Sequence, residues 1–419
     1  MDKKGKMYFS RYIMCALGLI FCGLCCSRAT SRQPQKETKL TITAVGDFIP
    51  HCDVIRSAQH HQKEMARKKQ SAYSYLFEQV ADQIPSDLAI INIESPLAYS
   101  RSIFQPDFVL NSDTAAINGL LQNGFNFFNF ANNHVYDMGA EGLKETLTFC
   151  KKHNLNYAGI GSTKKEAQRL VEIKIAAINV GILAYTQLLN NNYNHAHESW
   201  VNIYQFSEAR EQVRHAREKT DLLILLCHLG TEYMNHPDVR WQREARELLE
   251  AGADLILVCH PHVLQPVDLY ETSDGRQTAI FYSLGNFISN QNRKYQYLRH
   301  PVAEGDSRDV IIPRLTYRVS ESGSQRCSLE KIVITACWTI NNYYSPSRWR
   351  KRDIHLINLS KYLATYKQLY VAQENMAILN TRRLNSDSNY GLYFSRFQRI
   401  RSILGSHLHP DEQFNLVWP

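Results

Sequence analysis

The sequence has no apolar run of the roughly 20 residues that a membrane-spanning helix needs. Its longest apolar stretch, 12–26, has 15 residues and follows a start, 1–11, that carries four Lys or Arg residues. A basic segment before a short apolar run is typical of a secretory signal. We therefore expect residues 1–26 to be an export signal, with an uncleaved anchor as the alternative, followed by a polar linker at 27–39.

Cysteine is scarce outside that signal, where only six of the ten cysteines lie. Cys22, Cys25 and Cys26 end the apolar run, so the signal could also be that of a bacterial lipoprotein, although the residues before Cys25 and Cys26 are not small. Cys227 and Cys259 lie in strand-like runs, which favours buried thiols. Cys327 and Cys337 flank a predicted strand, and the sequence leaves their pairing open.

The sequence also lacks a nucleic-acid-binding motif, and its central part lacks a positive charge. Of the net charge of +8, residues 1–36 and 341–419 each contribute +6, so residues 37–340 carry −4. A basic patch for nucleic acid would have to lie outside this centre. We predict no nucleic-acid partner, and the basic ends suit a membrane surface at least as well.

The chain is organised around an apolar run, 255–259, that ends in His260-Pro261-His262. Short apolar runs predict buried parallel strands, and ligands collect beyond the carboxyl ends of such strands. If the strand stays extended, the two histidines share one face, and Pro261 ends the strand pairing. Two imidazoles at this spacing suit a divalent metal, although a polar loop would explain the pair equally well.

Polar groups follow the other predicted strands in the same way. Asp47 could by itself be a turn residue or a helix cap, and Asn133 could belong to an Asn-rich turn. Five strand ends with metal-compatible groups are harder to attribute to chance. These groups are Asp47, Asn92 with Glu94, Asn133 with His134, His228, and His260 with His262. The predicted strands are Leu40–Val45, Leu88–Ile93, Phe125–Phe130, Asn156–Ile160, Ile175–Tyr185, Leu222–Cys227, 255–259 and Ala279–Leu284, with a hairpin at Asp309–Val319 and Leu329–Ile340.

His195 and His197 repeat the spacing of the later histidine pair, but no strand leads into their Asn-rich segment. We interpret that segment as a solvated loop that could border the substrate. The basic run Arg348–Arg352 is interpreted as a solvated face, with a membrane contact as the alternative. Helices are predicted near Ile357–Leu379 and Leu392–Leu404.

Six motifs occur in order over residues 40–340: VGDFIP, INIESPL, FANNHVYDMG, HLGTEY, CHPHVLQPV and YSLGNFI. Together they closely resemble the CapA-type capsule-synthesis (poly-γ-glutamate biosynthesis) proteins, whose domain is similar to the calcineurin-like metallophosphoesterase fold. The resemblance implies an α/β (α+β) protein, a four-layer αββα metallophosphoesterase-like sandwich over 40–340. The basic run and the predicted helices of the tail indicate a basic, helical C-terminal extension at 341–419.

The same resemblance implies a site with two divalent metal ions in a cleft between the sheets. The implied metal ligands are Asp47, Glu94, Asn133, His228, His260 and His262. His134 would be the acid that protonates the leaving group, while Asn92, Glu232 and Asn286 are expected to bind substrate. Carboxylate, amide and imidazole donors suit Mn, Fe or Zn rather than Ca. Such a site could hydrolyse a phosphoester or an amide-type bond during polymer release.

A second hypothesis belongs to another class of protein: a non-catalytic accessory that binds an anionic polymer such as poly-γ-glutamate and assists its export. Under either hypothesis we expect an exported bacterial protein of the cell envelope, periplasmic or held at the membrane by a lipid anchor or signal anchor. Its expected partners are an anionic polymer or phosphoester substrate and, as a further possibility, capsule-export proteins.

Overall fold

Two β-sheets packed face to face form the centre of the protein. The computed structural model describes residues 38–106, 108–175, 177–190, 200–320, 325–371, 388–405 and 415–417. Within the described residues, the first sheet has nine strands. In spatial order they are β14 (Ile354–Asn358), β13 (Cys327–Asn341), β12 (Asp309–Val319), β1 (Thr38–Phe48), β2 (Leu88–Ile93), β3 (Phe127–Asn129) and β4 (Tyr157–Ala158), with β11 (Asn286–Ile288) beside β1 and β15 (Asn415–Val417) beside β13.

The second sheet has six strands in the described part of the chain. Their order is β5 (Val171–Ile175), β6 (Ile178–Thr186), β7 (Leu222–His228), β8 (Leu255–Cys259), β10 (Gln277–Phe281) and β9 (Val267–Glu271). The four inner strands are parallel, and both edge strands are antiparallel to their neighbours. The inner strands are buried on both faces, which explains their continuous apolar sequences.

Alternate residues of each strand fill different layers of the core. Leu40, Ile42 and Ala44 of β1 share one apolar cluster with Ile224 and Leu226 of β7, so this cluster lies between the sheets. The opposite faces of the two sheets pack under helices. The order of layers is therefore helix, sheet, sheet, helix, and the predicted four-layer αββα sandwich is confirmed.

The helices follow signals in the sequence. In α7 (Val239–Ala251), the buried Trp241, Ala245 and Leu248 recur at helical spacing, and Gly252 ends the helix with a positive φ of 135°. Asp113 caps α3 (Thr114–Gln122) by accepting a hydrogen bond from the Ala115 backbone N–H. The helices are α1 (Cys52–His60), α2 (Gln62–Arg67), α3 (Thr114–Gln122), α4 (Gly139–Lys152), α5 (Lys164–Ala167), α6 (Phe206–Arg217), α7 (Val239–Ala251), α8 (Leu359–Val371) and α9 (Ser388–Leu404), with 3₁₀-helices at Ala72–Gln83, Val302–Arg308 and Pro346–Trp349.

The domain boundary predicted at residue 340 falls inside β13. Beyond it, β14 pairs antiparallel with β13, so residues 354–358 continue the sheet instead of starting a helical extension. The hairpin predicted for β12 and β13 is present. Cys327 and Cys337 are both free thiols on β13, ten residues apart along one strand, which is too far for a disulfide between them.

In the described part of the chain, no helix combines the length and the apolar character that crossing a bilayer requires. The predicted signal at 1–26, residues 27–37 of the predicted linker, and the pair His195 and His197 lie outside the described residues. The last two residues of the predicted linker, Thr38 and Lys39, begin β1 instead.

Candidate metal centre

One row of aligned residues crosses four neighbouring parallel strands, at the carboxyl ends of β1, β2 and β3 and at the first residue of β11. Asp47 on β1 pairs in register with Asn286 on β11 and with Asn92 on β2. Asn92 in turn pairs with Asn129 on β3. The parallel strands β7 and β8 of the second sheet deliver His228, His260 and His262 to the same place. The carboxyl ends of both sheets therefore converge on one buried polar cluster.

The Asp47 carboxylate is completely buried and well supported. Its Oδ1 accepts a hydrogen bond from Asn92 Nδ2 at 2.6 Å, and its Oδ2 lies 3.3 Å from both the His260 backbone nitrogen and His262 Nδ1. Burial by itself would raise the pKa of Asp47, but the bond from His262 and the charges of His228 and His262 lower that pKa to about 2. Asp47 is therefore an ionised carboxylate.

Glu94 is also completely buried, but among the described residues neither of its carboxylate oxygens has a hydrogen-bond partner. Its Oε1 faces three imidazole nitrogens: His262 Nε2 at 3.6 Å, His228 Nε2 at 3.7 Å and His134 Nε2 at 3.9 Å. Burial, then the negative charges of Asp47 and Glu232, raise the pKa of Glu94 well above its usual range. Separations of this size are too long for hydrogen bonds and suit atoms that share a cation.

His228 and Asn133 contact each other inside the cluster. Asn133 Oδ1 accepts a hydrogen bond from His228 Nε2 at 2.8 Å. Burial, opposed by Asp47 and reinforced by His260 and His262, lowers the pKa of His228 well below its ordinary value. This shift favours the neutral imidazole, which is the form that binds a metal.

His260 and His262 reach the cluster through a strained turn. The sequence analysis placed the two histidines on one face on the condition that the strand stays extended, and it does not. β8 ends at Cys259, and His260 and His262 have φ angles of 100° and 59°. Positive φ is unfavourable for residues other than glycine and is concentrated at functional sites. The two ring centroids are nevertheless only 6.0 Å apart, so the turn brings the imidazoles together in a different way.

Two groups of side chains in the described residues have ligand atoms close enough to share an ion. One group is Asp47, Glu94 and His262, and the other is Glu232, His260 and His262. Glu232, which the sequence analysis assigned to substrate binding, thus lies among potential ligands. Nδ1 of His260 is buried and has no hydrogen-bond partner among the residues that the structure describes, so it is a further nitrogen available to a metal ion.

His134 occupies a more open position than the other histidines of the cluster. Its side chain is 13% exposed, whereas those of His228 and His262 are at most 5% exposed. Its Nδ1 lies 2.7 Å from Asp137 Oδ2, and Asn190 Nδ2 lies 3.2 Å from its Nε2. The sequence analysis missed these roles of Asp137 and Asn190. Asp137 could have been found from its position three residues after His134. No sequence pattern near Asn190 indicated its contact with His134.

The structure does not place Asn92 and Asn286 as substrate contacts. Asn92 donates to Asp47 and accepts a hydrogen bond from Asn129 Nδ2 at 2.9 Å. Asn286 Oδ1 lies 3.0 Å from His262 Nδ1, and its Nδ2 donates to Gln291 and to the Ser307 carbonyl. Both amides are buried with their donors and acceptors already in use, so they orient Asp47 and His262 instead.

Two packed sheets covered by helices, with carboxylates, amides and imidazoles gathered at their carboxyl ends, define an αββα protein with a candidate divalent-metal centre. The chain belongs to the family described as bacterial capsule synthesis protein PGA_cap, whose model matches residues 41–291. The resemblance to CapA-type proteins found in the motifs is confirmed.

Two relatives are named CapA, and their names refer to the biosynthesis of a capsule or of PGA. The chain is 30% identical to the capsule biosynthesis protein CapA of Bacillus anthracis over 309 residues, which are 69% of this chain and 71% of that protein. It is 31% identical to the PGA biosynthesis protein CapA of Bacillus subtilis (strain 168) over 211 residues, which are 49% and 54% of the two chains.

Among solved structures, a Mycoplasma pneumoniae protein described as a novel phosphatase matches with a TM-score of 0.42 and 13% sequence identity. The match covers 75% of this chain and 99% of that chain. At this TM-score the likeness carries no argument about activity.

Proposed function

We propose that this protein is a metal-dependent hydrolase that acts in the synthesis of a bacterial capsule polymer. Membership of the capsule synthesis family supports the process. The observation that carries the chemistry is the Glu94 carboxylate, which is fully buried, faces three imidazole nitrogens and has no hydrogen-bond partner in the part of the chain that the structure describes. A buried carboxylate without partners is costly, and a bound cation would offset that cost.

The described residues fit two divalent ions. Asp47, Glu94 and His262 would hold one ion, and Glu232 and His260 would hold a second beside it. His228 and Asn133 are positioned to complete the set. Carboxylate and imidazole donors together favour Mn, Fe or Zn. When bound, the ions would supply a Lewis acid that stabilises negative charge developing on a phosphoryl or carbonyl group.

The protein's own contribution to the reaction is a positioned acid. With its Nδ1 donating to Asp137, His134 is held with Nε2 facing the cluster. The Nε2 proton can then pass to the oxygen or nitrogen that leaves when the substrate bond breaks. The greater exposure of His134 leaves room for a leaving group beside it.

The proposal places the protein in the cell envelope, exported by the segment at 1–26 and either released or held at the membrane. The basic run before an apolar segment supports export. We also propose that its substrate or partner carries many negative charges and that it acts with the export proteins of the capsule.

Metal content and turnover of the full chain test the proposal together. Purified wild-type protein should retain close to two equivalents of Mn, Fe or Zn by elemental analysis and should hydrolyse either a phosphodiester or a γ-linked glutamate polymer. Glu94→Gln should lose the metal and the turnover. Glu172→Gln, which changes an exposed carboxylate on the edge strand β5, is the matched control and should keep both.

His134→Gln separates the ligands from the acid, because it should retain the metal while losing turnover. Metal without turnover on any polymer or phosphoester would favour the alternative, a non-catalytic accessory that binds the polymer. A wild-type protein that holds no divalent metal would contradict the proposed chemistry.

A further inference from the structure

We propose that Arg399 of the C-terminal helix α9 is a positioning residue of the candidate metal centre, which fixes the loop that carries Glu232 and so sets the affinity for one of the two ions. This inference rests on the proposed function, since it concerns the ion that Glu232 would share with His260 and His262. The family model ends at residue 291, so α9 lies outside the part of the chain that the model matches.

Glu232 lies in an exposed loop at 229–238, which connects β7 to α7 and which we call the Glu232 loop. A surface loop does not by itself hold a side chain at a fixed place. A ligand that is already in place binds a metal ion more tightly, because no ordering cost remains when the ion arrives. The contacts of the Glu232 loop therefore decide how well Glu232 can serve as a ligand.

The Glu232 loop is attached to the segment that contains the turn at 260–262. The Tyr233 N–H donates to the Pro261 carbonyl at 2.8 Å, and Asn235 Nδ2 donates to the Leu264 carbonyl at 3.2 Å. Gln265 is buried, and its Nε2 donates to two further carbonyls of the loop at 2.7 and 3.1 Å. The loop and the turn therefore form one hydrogen-bonded unit.

Arg399 joins helix α9 to this unit. Its Nη2 donates to Asn235 Oδ1 at 3.2 Å, while the amide nitrogen of the same Asn235 donates to the Leu264 carbonyl. The guanidinium of Arg399 is held in turn by Asp306, with Nη2 2.7 Å from Oδ2 and Nε 3.2 Å from Oδ1. Because the Asp306 side chain is only 2% exposed, this two-point contact fixes the direction in which Arg399 presents its remaining donor.

A second route leads from α9 to the other side of the same ion group. Asp306 is also held by Arg396 at 2.7 Å. Ser307, the next residue, accepts a hydrogen bond on its carbonyl from Asn286 Nδ2 at 2.9 Å, and Asn286 Oδ1 lies 3.0 Å from His262 Nδ1. This route does not pass through the Glu232 loop, so it should survive when only the contact between Arg399 and the loop is removed.

The ion group of Asp47, Glu94 and His262 depends less on loop contacts. Asp47 lies on β1 and Glu94 comes directly after β2, and both carboxylates are completely buried. Ligands on or beside paired strands are held more precisely than ligands on loops. Loss of the contact made by Arg399 should therefore weaken one ion much more than the other.

Titration of the full chain with Mn²⁺ alone, followed by the electron paramagnetic resonance signal of free Mn²⁺, tests this inference. The wild type should bind two ions, and Arg399→Ala should weaken one of them by about tenfold while the other keeps its affinity. Asn235→Ala, which changes the loop instead of the helix, should weaken the same ion. Gln398→Ala changes an exposed neighbour on α9 and is the matched control, which should bind both ions as the wild type does.

Glu232→Gln distinguishes positioning from a general loss of structure. This variant should itself weaken one ion, and adding Arg399→Ala to it should have no further effect on that ion, because the loop no longer carries a carboxylate to position. A merely structural role of Arg399 would lower the affinity further in this background or would lower the affinities of both ions alike.

Equal Mn²⁺ affinities of the wild type and Arg399→Ala would overturn the inference, and so would an equal loss at both ions or a further loss in the Glu232→Gln background. A wild type whose bound Mn²⁺ is unchanged by Glu232→Gln would overturn this inference alone and leave the proposed function standing. Two bound ions without turnover would count against the proposed hydrolase while the inference about Arg399 stands. A wild type that binds no Mn²⁺ would overturn both.

Discussion

Among the described residues, Glu94 is the buried carboxylate with neither oxygen in a hydrogen bond. Other buried acids show what a carboxylate normally requires. Asp254, for example, is paired with Arg217 and Arg276 at 2.7 and 2.9 Å. Glu94 is surrounded by imidazoles, another carboxylate and amides, and within the described ranges it forms no ion pair with Arg or Lys. The interaction that is absent is therefore one that a divalent cation can supply.

Replacing Glu94 with Gln should stabilise the protein when metal is removed. In the presence of a chelator, the free energy of unfolding should rise by about 1–2 kcal/mol, because a neutral amide is less costly to bury than a carboxylate. With Mn²⁺ added, the wild type should gain stability and the variant should not. Urea denaturation in both conditions measures the difference. A variant that is less stable than the wild type in chelator would show that the protein itself satisfies the carboxylate.

The metal-free protein should lose stability as the pH falls below 6.5. Burial, reinforced by His262, lowers the pKa of His260 to about 4 in the folded state. The unfolded chain, with an ordinary His pKa near 6.5, then binds a proton that the folded protein excludes. The stability that neutral His260 contributes is full above pH 6.5 and is lost as the pH falls to about 4, at roughly 1.4 kcal/mol per pH unit.

Urea denaturation between pH 4.5 and 7.5 would show this slope, and His260→Gln should make it shallower. Identical slopes for the two proteins would mean that His260 is not buried as a neutral imidazole.

Predictability of the site depended on how local each signal was. Asp47, Glu94, His228, His260 and His262 each follow a predicted strand, so parallel strands could be expected to bring them to one edge. The contacts of Asn190 with Asn133 and His134 join segments 56–57 residues apart, and no pattern near Asn190 marks them. The orienting roles of Asn92 and Asn286 depend on strand register, which the sequence does not encode locally.

At the scale of elements, β1 and the turn before β11 approach closely just beside Asp47. A Cβ atom added at Gly46 would lie 1.8 Å from the Gly285 carbonyl oxygen, which accepts the Asp47 backbone N–H at 3.0 Å. The end of β1 therefore depends on a residue without a side chain.

Gly46→Ala should lower the free energy of unfolding by about 3 kcal/mol, because the neighbouring backbone would have to move. It should also weaken metal binding, since Asp47 would move with that backbone. Urea denaturation and metal titration measure the two effects. Gly275→Ala is the control, because a Cβ atom there meets nothing within 4 Å. Its φ is positive, 82°, so this variant measures the effect of backbone strain without a steric clash. A Gly46→Ala protein as stable as the wild type would contradict the close approach.

Elements with strong apolar runs were predictable, and weakly apolar elements were not. β2 has its predicted bounds, Leu88–Ile93, and β8 spans the predicted 255–259, because unbroken apolar runs mark both strands. β5 was missed although its sequence Val-Glu-Ile-Lys-Ile alternates, and it forms a half-exposed edge. β11 has three residues, too few for a periodic signal. β14 became visible only through its pairing with β13.

At the scale of the whole molecule, a buried ion pair attaches the C-terminal helix α9 to the domain. Arg396 is completely buried, with its Nε 2.8 Å from Asp309 Oδ1 and its guanidinium also bonded to Asp306 at 2.7 Å. Arg396→Met should lower the free energy of unfolding by about 3–5 kcal/mol, because it removes the guanidinium partner of the buried Asp309 carboxylate, whereas Asp306 keeps Arg399 at 2.7 Å.

Arg401→Met, on an exposed position of the same helix, is the control and should change stability by less than about 0.5 kcal/mol. Adding Asp309→Leu to Arg396→Met should recover part of the loss. Urea denaturation of the three proteins decides between this account and a helix that is only loosely attached, for which all three variants would match the wild type.

The central claim is that the two sheets bring Asp47, Glu94 and the three buried histidines together to hold divalent ions. Anomalous X-ray diffraction from crystals grown with Mn²⁺ tests it most directly. We predict one or two strong anomalous peaks in this cluster, about 2.0–2.3 Å from its carboxylate oxygens and imidazole nitrogens. One of these oxygens should belong to Glu94. Diffraction with no peak there, or with peaks confined to the protein surface, would contradict the account.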